Sequence, residues 1–298
     1  MFLFFGAMKR DDYRIYLVIT VLLWASAFVG IRDVVKYIDA GPMALLRFIV
    51  VSIVLFMFYI LSSTKRIPEK KDLKYFLFSG FSGFFLYNLT LNWGEQLVNA
   101  ATASFLVSSL TIFTGVISAV VFKEKLGVRS WIGIVVSFFG IGIISFYEGE
   151  KASMNYGVIL VLVSAISSSV YTIVQKKLVT KYGSLNTLVW SVWFGTIFMT
   201  LYFPELVVQF SQLSNSKISI IVYLGIFPGA IAYFTWNKAL SLIDSATRAT
   251  TALYFTPIVV TILGWFLLDE SISFGVFLGG VLVLFGVYLS QKRRRNGQ

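Results

Sequence analysis

Apolar residues in this chain neither alternate nor mark one helical face; they run on in long blocks broken by short polar stretches. A block of about 20 mostly apolar residues is what an α-helix needs to cross the hydrocarbon core of a bilayer. Ten blocks predict ten helices, at 14–33, 42–62, 74–93, 100–121, 129–147, 156–175, 185–203, 219–237, 246–267 and 272–290. Gly83, Gly115, Pro228 and Pro257 fall inside them, which membrane helices tolerate where neighbours satisfy the freed backbone groups. The connections are short. The longest, from Pro204 to Lys217, carries Gln, Ser and Asn and reads as a loop.

Charge gives the blocks a direction. With the N-terminus inside, only five of the 25 Lys and Arg fall outside: Arg32, Lys36, Arg47, Lys151 and Lys217. Cytoplasmic loops collect basic residues, so both termini are expected in the cytoplasm. A missing or extra helix would scramble the alternation, so the bias also supports an even count. The first block follows Lys9, Arg10 and Arg14, and Ala25-Ser26-Ala27 resembles a cleavage site. Apolar residues nevertheless continue past it and nine blocks follow, so it reads as a span rather than a signal peptide. Met8 is a second candidate start beside Met1.

Shifting the chain by 146 residues lays five blocks on five. Gly83 meets Gly229, Tyr87 meets Tyr233, Ala100 meets Ala246, Glu124 meets Glu270, Gly133 meets Gly279 and Gly140 meets Gly286. No gap is needed from the third block to the fifth. Five is odd, so the second half is expected upside down relative to the first. The predicted fold is an all-α integral membrane protein: ten transmembrane helices in two inverted five-helix repeats, 14–147 and 156–290. Inverted repeats are an architecture of secondary transporters, whose halves rock about a shared central site.

Composition agrees. Of 298 residues, 57% are hydrophobic and 13% charged, too few charges to coat a soluble surface. Cys and His are absent, which removes thiolate chemistry, disulfides and the commonest transition-metal ligand. No cofactor or metal is expected. The net charge of +11 is accounted for by basic residues at block ends, so nucleic acid is not an expected partner. An intramembrane enzyme would need a catalytic pair at membrane depth, and none is visible. A channel would show a polar stripe, and the polar residues are scattered.

Particular stretches resemble a known family. They are Leu22-Leu23-Trp24-Ala25-Ser26-Ala27-Phe28, Ala44-Leu45-Leu46-Arg47-Phe48, Asn99 to Ser104, Phe122-Lys123-Glu124-Lys125, Tyr171 to Leu178, and Ala246 to Pro257 followed by Leu268-Asp269-Glu270. In this order and spacing they resemble the EamA family of the drug/metabolite transporter superfamily, over nearly the whole chain. The resemblance implies ten helices around a central cavity, with helices 1, 3, 4, 6, 8 and 9 lining it. It also implies export of small metabolites, often amino acids or related compounds. The chain departs from an internal repeat at Arg47, whose counterpart region in the seventh block offers Trp190 or Trp193.

Polar and aromatic residues in the middle of blocks are the candidate substrate contacts: Trp24, Tyr87, Asn88, Asn92, Ser108, Ser109, Tyr171, Tyr233, Trp236 and Tyr254. Tyr87 and Tyr233 lead because they occupy one repeat position. Ser and Thr in membrane helices more often bond their own backbone, and Trp236 near a block end fits an interfacial anchor equally well. Aromatics and amides without a fixed charge suit zwitterions or neutral amphiphiles. The acidic residues lie at or near block ends, so no intramembrane carboxylate for proton coupling is evident, and uncoupled diffusion or exchange is expected. Glu95, three residues from Asn92 on one helical face near the outer mouth, is the exception to watch. Glu124 and Glu270 read as braces at helix junctions. The expected protein is a monomeric exporter in the cytoplasmic membrane, with a flippase for a lipid-linked metabolite, or an uncoupled channel, as the alternatives.

Overall fold

The structure, a computed structural model, describes residues 13–122, 127–148, 152–243 and 246–291. Met8, Glu124 and the basic run from Lys292 to Arg295 lie outside these residues. Among the described residues there is no strand, and helix occurs in every one of the ten apolar blocks. Seven helices are long and apolar enough to cross a membrane. The third block is not among them: Lys74, Asn88 and Asn92 lower its hydropathy.

The elements run α1 (Tyr13–Val34), α2 (Ala40–Leu61), α3 (Leu73–Gly80), α4 (Tyr87–Leu97), α5 (Ala100–Ser108), α6 (Leu110–Phe122), α7 (Val128–Glu148) and α8 (Ala152–Tyr182). They continue with α9 (Ser184–Met199), α10 (Phe203–Phe210), α11 (Asn215–Leu224), α12 (Tyr233–Leu242), α13 (Ala246–Thr250), α14 (Thr256–Leu268) and α15 (Phe274–Gln291). Helix α10 corrects the loop expected after Pro204. Pro204 sits in its first turn, where its missing N–H costs nothing, and Glu205 faces the positive end of the helix dipole.

Two blocks are bent by π-helical turns, Phe81–Leu86 between α3 and α4 and Gly225–Ala232 between α11 and α12. The second contains Pro228, and Gly83 and Gly229 mark the two turns 146 residues apart. Two further breaks share that spacing. The helix changes at Ser109 between α5 and α6, and the 3-10 turn Thr251–Phe255 joins α13 to α14.

Helices α7 and α15 cross at glycines. A Cβ on Gly133 would stand 2.4 Å from the Gly286 carbonyl oxygen, and one on Gly140 2.6 Å from that of Gly279. The main chains therefore touch, as small residues permit between membrane helices. The Ser137 hydroxyl donates to the Val283 carbonyl at 2.9 Å in the same crossing. The outward surface is apolar, with Ile53, Phe56, Met57, Phe139, Phe146, Ile197, Trp265 and Phe266 all exposed. A continuous apolar exterior of this kind is suited to lipid. Polar side chains point inward instead: Asn88, Asn92, Glu95, Gln175 and Asn237 have no exposed surface.

Candidate substrate cavity

The inward faces of α1, α4, α5, α8 and α12 leave a cavity of about 560 Å³, counting its open mouth. Its aromatic walls are Trp24 and Phe28 from α1, Tyr87 from α4, Tyr171 from α8, and Tyr233 and Trp236 from α12. The rings pack edge to face. Trp24 and Tyr233 have centroids 5.2 Å apart at 66°, and Tyr171 and Tyr233 are 6.4 Å apart at 89°. Phe84 buttresses Tyr233 from behind at 5.0 Å. Such pairs favour offset and edge contacts because the ring faces are negative and the edges positive.

The π turns put these rings where they are. In the first, the Tyr87 N–H reaches back to the Ser82 carbonyl, and Ser167 of α8 donates to the same oxygen at 2.8 Å. A bulge that would leave polar backbone astray is thereby satisfied across the bundle. Gly83 lies under the Tyr171 ring: a Cβ there would be 2.0 Å from Cδ2 of that ring, so only Gly lets the tyrosine lie against the turn. On the other side, Thr20 and Thr235 share a 2.8 Å hydroxyl contact that ties α1 to α12.

The wall also carries a polar group with no partner. Trp236 Nε1 is buried and unbonded, and the buried Tyr171 hydroxyl has the Asn237 side-chain amide as its neighbour. Buried polar atoms almost always find partners, so an unsatisfied indole N–H on a cavity wall marks a place suited to a bound polar group. The wall serines offer less. Ser104 donates to Ala101 O at 2.7 Å and Ser108 to Ser104 O at 2.9 Å, each within its own helix.

Of the candidates from the sequence, Trp24, Tyr87, Ser108, Tyr171, Tyr233 and Trp236 lie on this wall. Trp236 is 1% exposed, packed against Trp24 rather than standing at an interface. The other four lie off it. Asn88 stands behind Tyr87 and accepts a hydrogen bond from Arg47. Asn92 donates to Ala40 O at 3.3 Å and ties α4 to α2. Ser109 donates to Leu106 O at the break between α5 and α6. Tyr254 lies in the 3-10 turn with its hydroxyl beside Thr111. Phe28, Gly83, Ser104, Val107, Leu110, Ser168, Thr172, Leu253 and Thr256 complete the wall without having been singled out as substrate contacts. Most are apolar or small, and nothing in such a residue separates a cavity wall from a helix contact.

Two buried charges correct the sequence picture. Arg47, placed with the outer basic residues, is 3% exposed inside α2. Its Nη2 donates to Asn88 Oδ1 at 2.8 Å, while Nε and Nη1 have no partner. The guanidinium carbon is 5.1 Å from the Phe48 ring centroid, a cation–π contact. Glu95, read as lying near an outer mouth, is fully buried with both carboxyl oxygens unbonded. Above it, Arg32 Nε donates to Glu270 Oε1 at 2.8 Å and Arg32 Nη1 donates to the Glu95 carbonyl. Glu270 Oε2 accepts the Ala100 N–H at 3.0 Å, so Glu270 braces the start of α5 as expected, with Arg32 as its cation. Trp193, which aligns with Arg47, packs instead against Tyr59 and Trp190. The two halves differ there. Among the described residues, no three acidic side chains gather to hold a metal ion.

The model of the EamA-like transporter family matches this chain twice, over residues 13–146 and 155–291. The chain belongs to the EamA-like transporter family. It is thus a membrane protein of a transporter family, not an enzyme. An uncharacterized transporter of Bacillus subtilis, YdfC, is 35% identical over 265 residues, covering 89% of this chain and 86% of that protein. A probable terminal-alkyne amino-acid exporter of Streptantibioticus cattleyicolor is 30% identical over 286 residues, covering 96% and 95%. A crystal structure 16% identical to the chain superimposes with a TM-score of 0.68, covering 95% of this chain and 98% of the other, which shows a shared fold.

Proposed function

We propose that this EamA-like transporter exports amino acids or related small amphiphiles across the cytoplasmic membrane by alternating access. The observation that carries the reading is the aromatic cavity with the unpaired Trp236 indole N–H on its wall, enclosed by helices from both halves of the chain. An apolar wall with a few convergent polar atoms fits a small amphiphile. The amino-acid exporter among the relatives supports the same cargo class.

In this reading the ten blocks are ten spans in two inverted repeats, 14–147 and 156–290, with both termini in the cytoplasm. The π turns at equal repeat positions and the reciprocal glycine crossing of α7 and α15 support it. Turns at equal repeat positions would let each half adopt the other's shape, which is what alternating access requires. The protein acts as a monomer, with lipid and cargo as its partners.

The test is a thermal-shift screen of amino acids, amines and nucleosides on purified protein. A ligand at a hundred times its Kd adds about 2.7 kcal/mol to the native state. Amino acids are expected to raise the melting temperature, and Trp236→Ala or Tyr233→Ala to abolish the shift. If only lipid-linked compounds do so, the protein is a flippase and the exporter reading fails.

A further inference from the structure

Glu95 takes no part in the cavity wall. It lies in the last turn of α4, fully buried, with neither carboxyl oxygen hydrogen-bonded. A carboxylate so placed would have neither water nor a donor, the costliest way to hold a charge in a protein interior. The charges within reach are Arg32 on α1, Arg47 on α2 and Glu270 beyond α14. Neither cation hydrogen-bonds the Glu95 carboxyl group, although Arg47 keeps two unbonded nitrogens. Arg32 Nε is held by Glu270 and Arg47 Nη2 by Asn88. From α8, this end of α4 meets Gly157 and Val161, which bring no charge.

Arg32 is nevertheless already beside Glu95, because its Nη1 donates to the Glu95 main-chain carbonyl. One guanidinium thus stands between two carboxyl groups and serves only one of them. Were it to leave Glu270, that side chain would keep the Ala100 N–H on Oε2. It would not be stranded.

We propose that Glu95 is a proton-binding site that couples transport to a proton gradient, with Arg32 as the switch. While Arg32 is paired with Glu270, Glu95 is a neutral carboxylic acid and the outer end is closed. When that pair parts, Arg32 turns to Glu95. The O–H bond breaks, the proton passes through the cavity to water on the cytoplasmic side, and the electron pair stays on the carboxylate against the guanidinium. Closing again takes a proton up from the outer side. Outward passage of cargo is then exchanged for inward passage of one proton, in place of the uncoupled exchange read from the sequence. The inference rests on the transporter reading above, and the experiment separates the two.

Purified wild type and Glu95→Gln are reconstituted in vesicles and offered radiolabelled phenylalanine. With equal pH on both sides and unlabelled phenylalanine inside, both proteins are expected to exchange label, because Gln mimics the neutral acid. With the interior acid by about two pH units, one-for-one antiport can drive up to about 100-fold accumulation, since each unit is tenfold in proton activity. Wild type is expected to accumulate label at least about tenfold on the same footing, and Glu95→Gln none. Wild type that exchanges but ignores the gradient, or Glu95→Gln that accumulates like wild type, overturns the proton site and leaves the transporter reading standing.

A second arm needs no cargo. The chain has no cysteine, so Ser104→Cys places a single thiol on the cavity wall. Its modification by a membrane-impermeant thiosulfonate added outside is followed against pH, with and without Glu95→Gln. Thiol ionisation is common to both and divides out. Alkaline pH is expected to speed modification several-fold more when Glu95 is present. Identical pH profiles overturn the proposal even if phenylalanine is not a cargo.

Discussion

At each end of the molecule two carboxyl groups lie near one cation, with different results. At the end assigned to the cytoplasm, Lys181 pairs with Glu69 at 2.7 Å and also with Asp72. Lys181 and Glu69 are 42% and 50% exposed, and Lys71 joins from the surface. At the other end Arg32 pairs with Glu270 alone, the two side chains are 17% and 12% exposed, and Glu95 is left buried without a donor. Where water reaches, a cation can be shared, because the solvent makes up whatever each carboxylate lacks. Where it does not, the choice of partner becomes all or none. A shared surface lysine is thus a tether, and a contested buried arginine is a switch.

The sharpest way to break this comparison is to remove each cation. Arg32→Ala leaves the Glu270 carboxylate without a counter-ion in a nearly closed site and is expected to cost about 3 kcal/mol. In detergent this reads as a large fall in apparent melting temperature. Lys181→Ala is expected to lie within the scatter of wild type, since exposed pairs contribute little. Equal losses at the two ends would remove the distinction between tether and switch.

Much of the helical plan could be read from the sequence because hydropathy over long blocks leaves few alternatives. The block 14–33 became Tyr13–Val34, and 129–147 became Val128–Glu148. What hydropathy cannot see is a change of helix type. The π turns at Phe81–Leu86 and Gly225–Ala232 keep their apolar composition, and only Gly83, Pro228 and Gly229 hint at them. The aromatic wall was legible for a similar reason: Trp and Tyr in mid-block stand out from Leu and Val. Arg47 and Glu95 were misplaced because charged residues near block ends usually reach water, and only packing tells which do. Helices α2, α4 and α8 close over them, a tertiary fact absent from any local pattern.

Glu270→Gln gives a smaller effect on the buried side. The amide keeps an acceptor for the Ala100 N–H but loses the ionic hold on Arg32. The expected cost is about 1.5 kcal/mol, the worth of a charged hydrogen bond. With Arg32 released toward Glu95, the Ser104→Cys thiol should also be modified faster from outside. A loss of stability without faster modification would make Glu270 a brace only.

Arg47→Met tests the state of Glu95 by sign. If Glu95 is neutral, Arg47 is a buried cation with two unpaired nitrogens, and replacing it with an apolar side chain of similar length should raise stability by about 1 kcal/mol. If Glu95 is charged, Arg47 helps to compensate it and the same change lowers the melting temperature. The measurement is an unfolding curve at neutral pH beside that of Glu95→Gln.

The smallest effect belongs to the exposed end. The Lys181 ammonium, and then the Tyr182 hydroxyl, hold the Asp72 carboxyl below its ordinary range. Lys181 and then Lys71 do the same for Glu69. A carboxyl depressed in the folded state stabilises it above the unfolded value, and that contribution is lost as pH falls through the lower folded value. The acid arm of the melting curve, below about pH 4, should therefore be slightly flatter in a Glu69→Gln, Asp72→Asn double variant. High salt should erase the difference, because at about 1 M the screening length shrinks to about 3 Å. The pairing of Arg32 with Glu270 is shielded from solvent ions, so the cost of Arg32→Ala should change little over the same salt range. A salt dependence as steep at that end would mean that water reaches Glu95, and the asymmetry between the two ends would disappear.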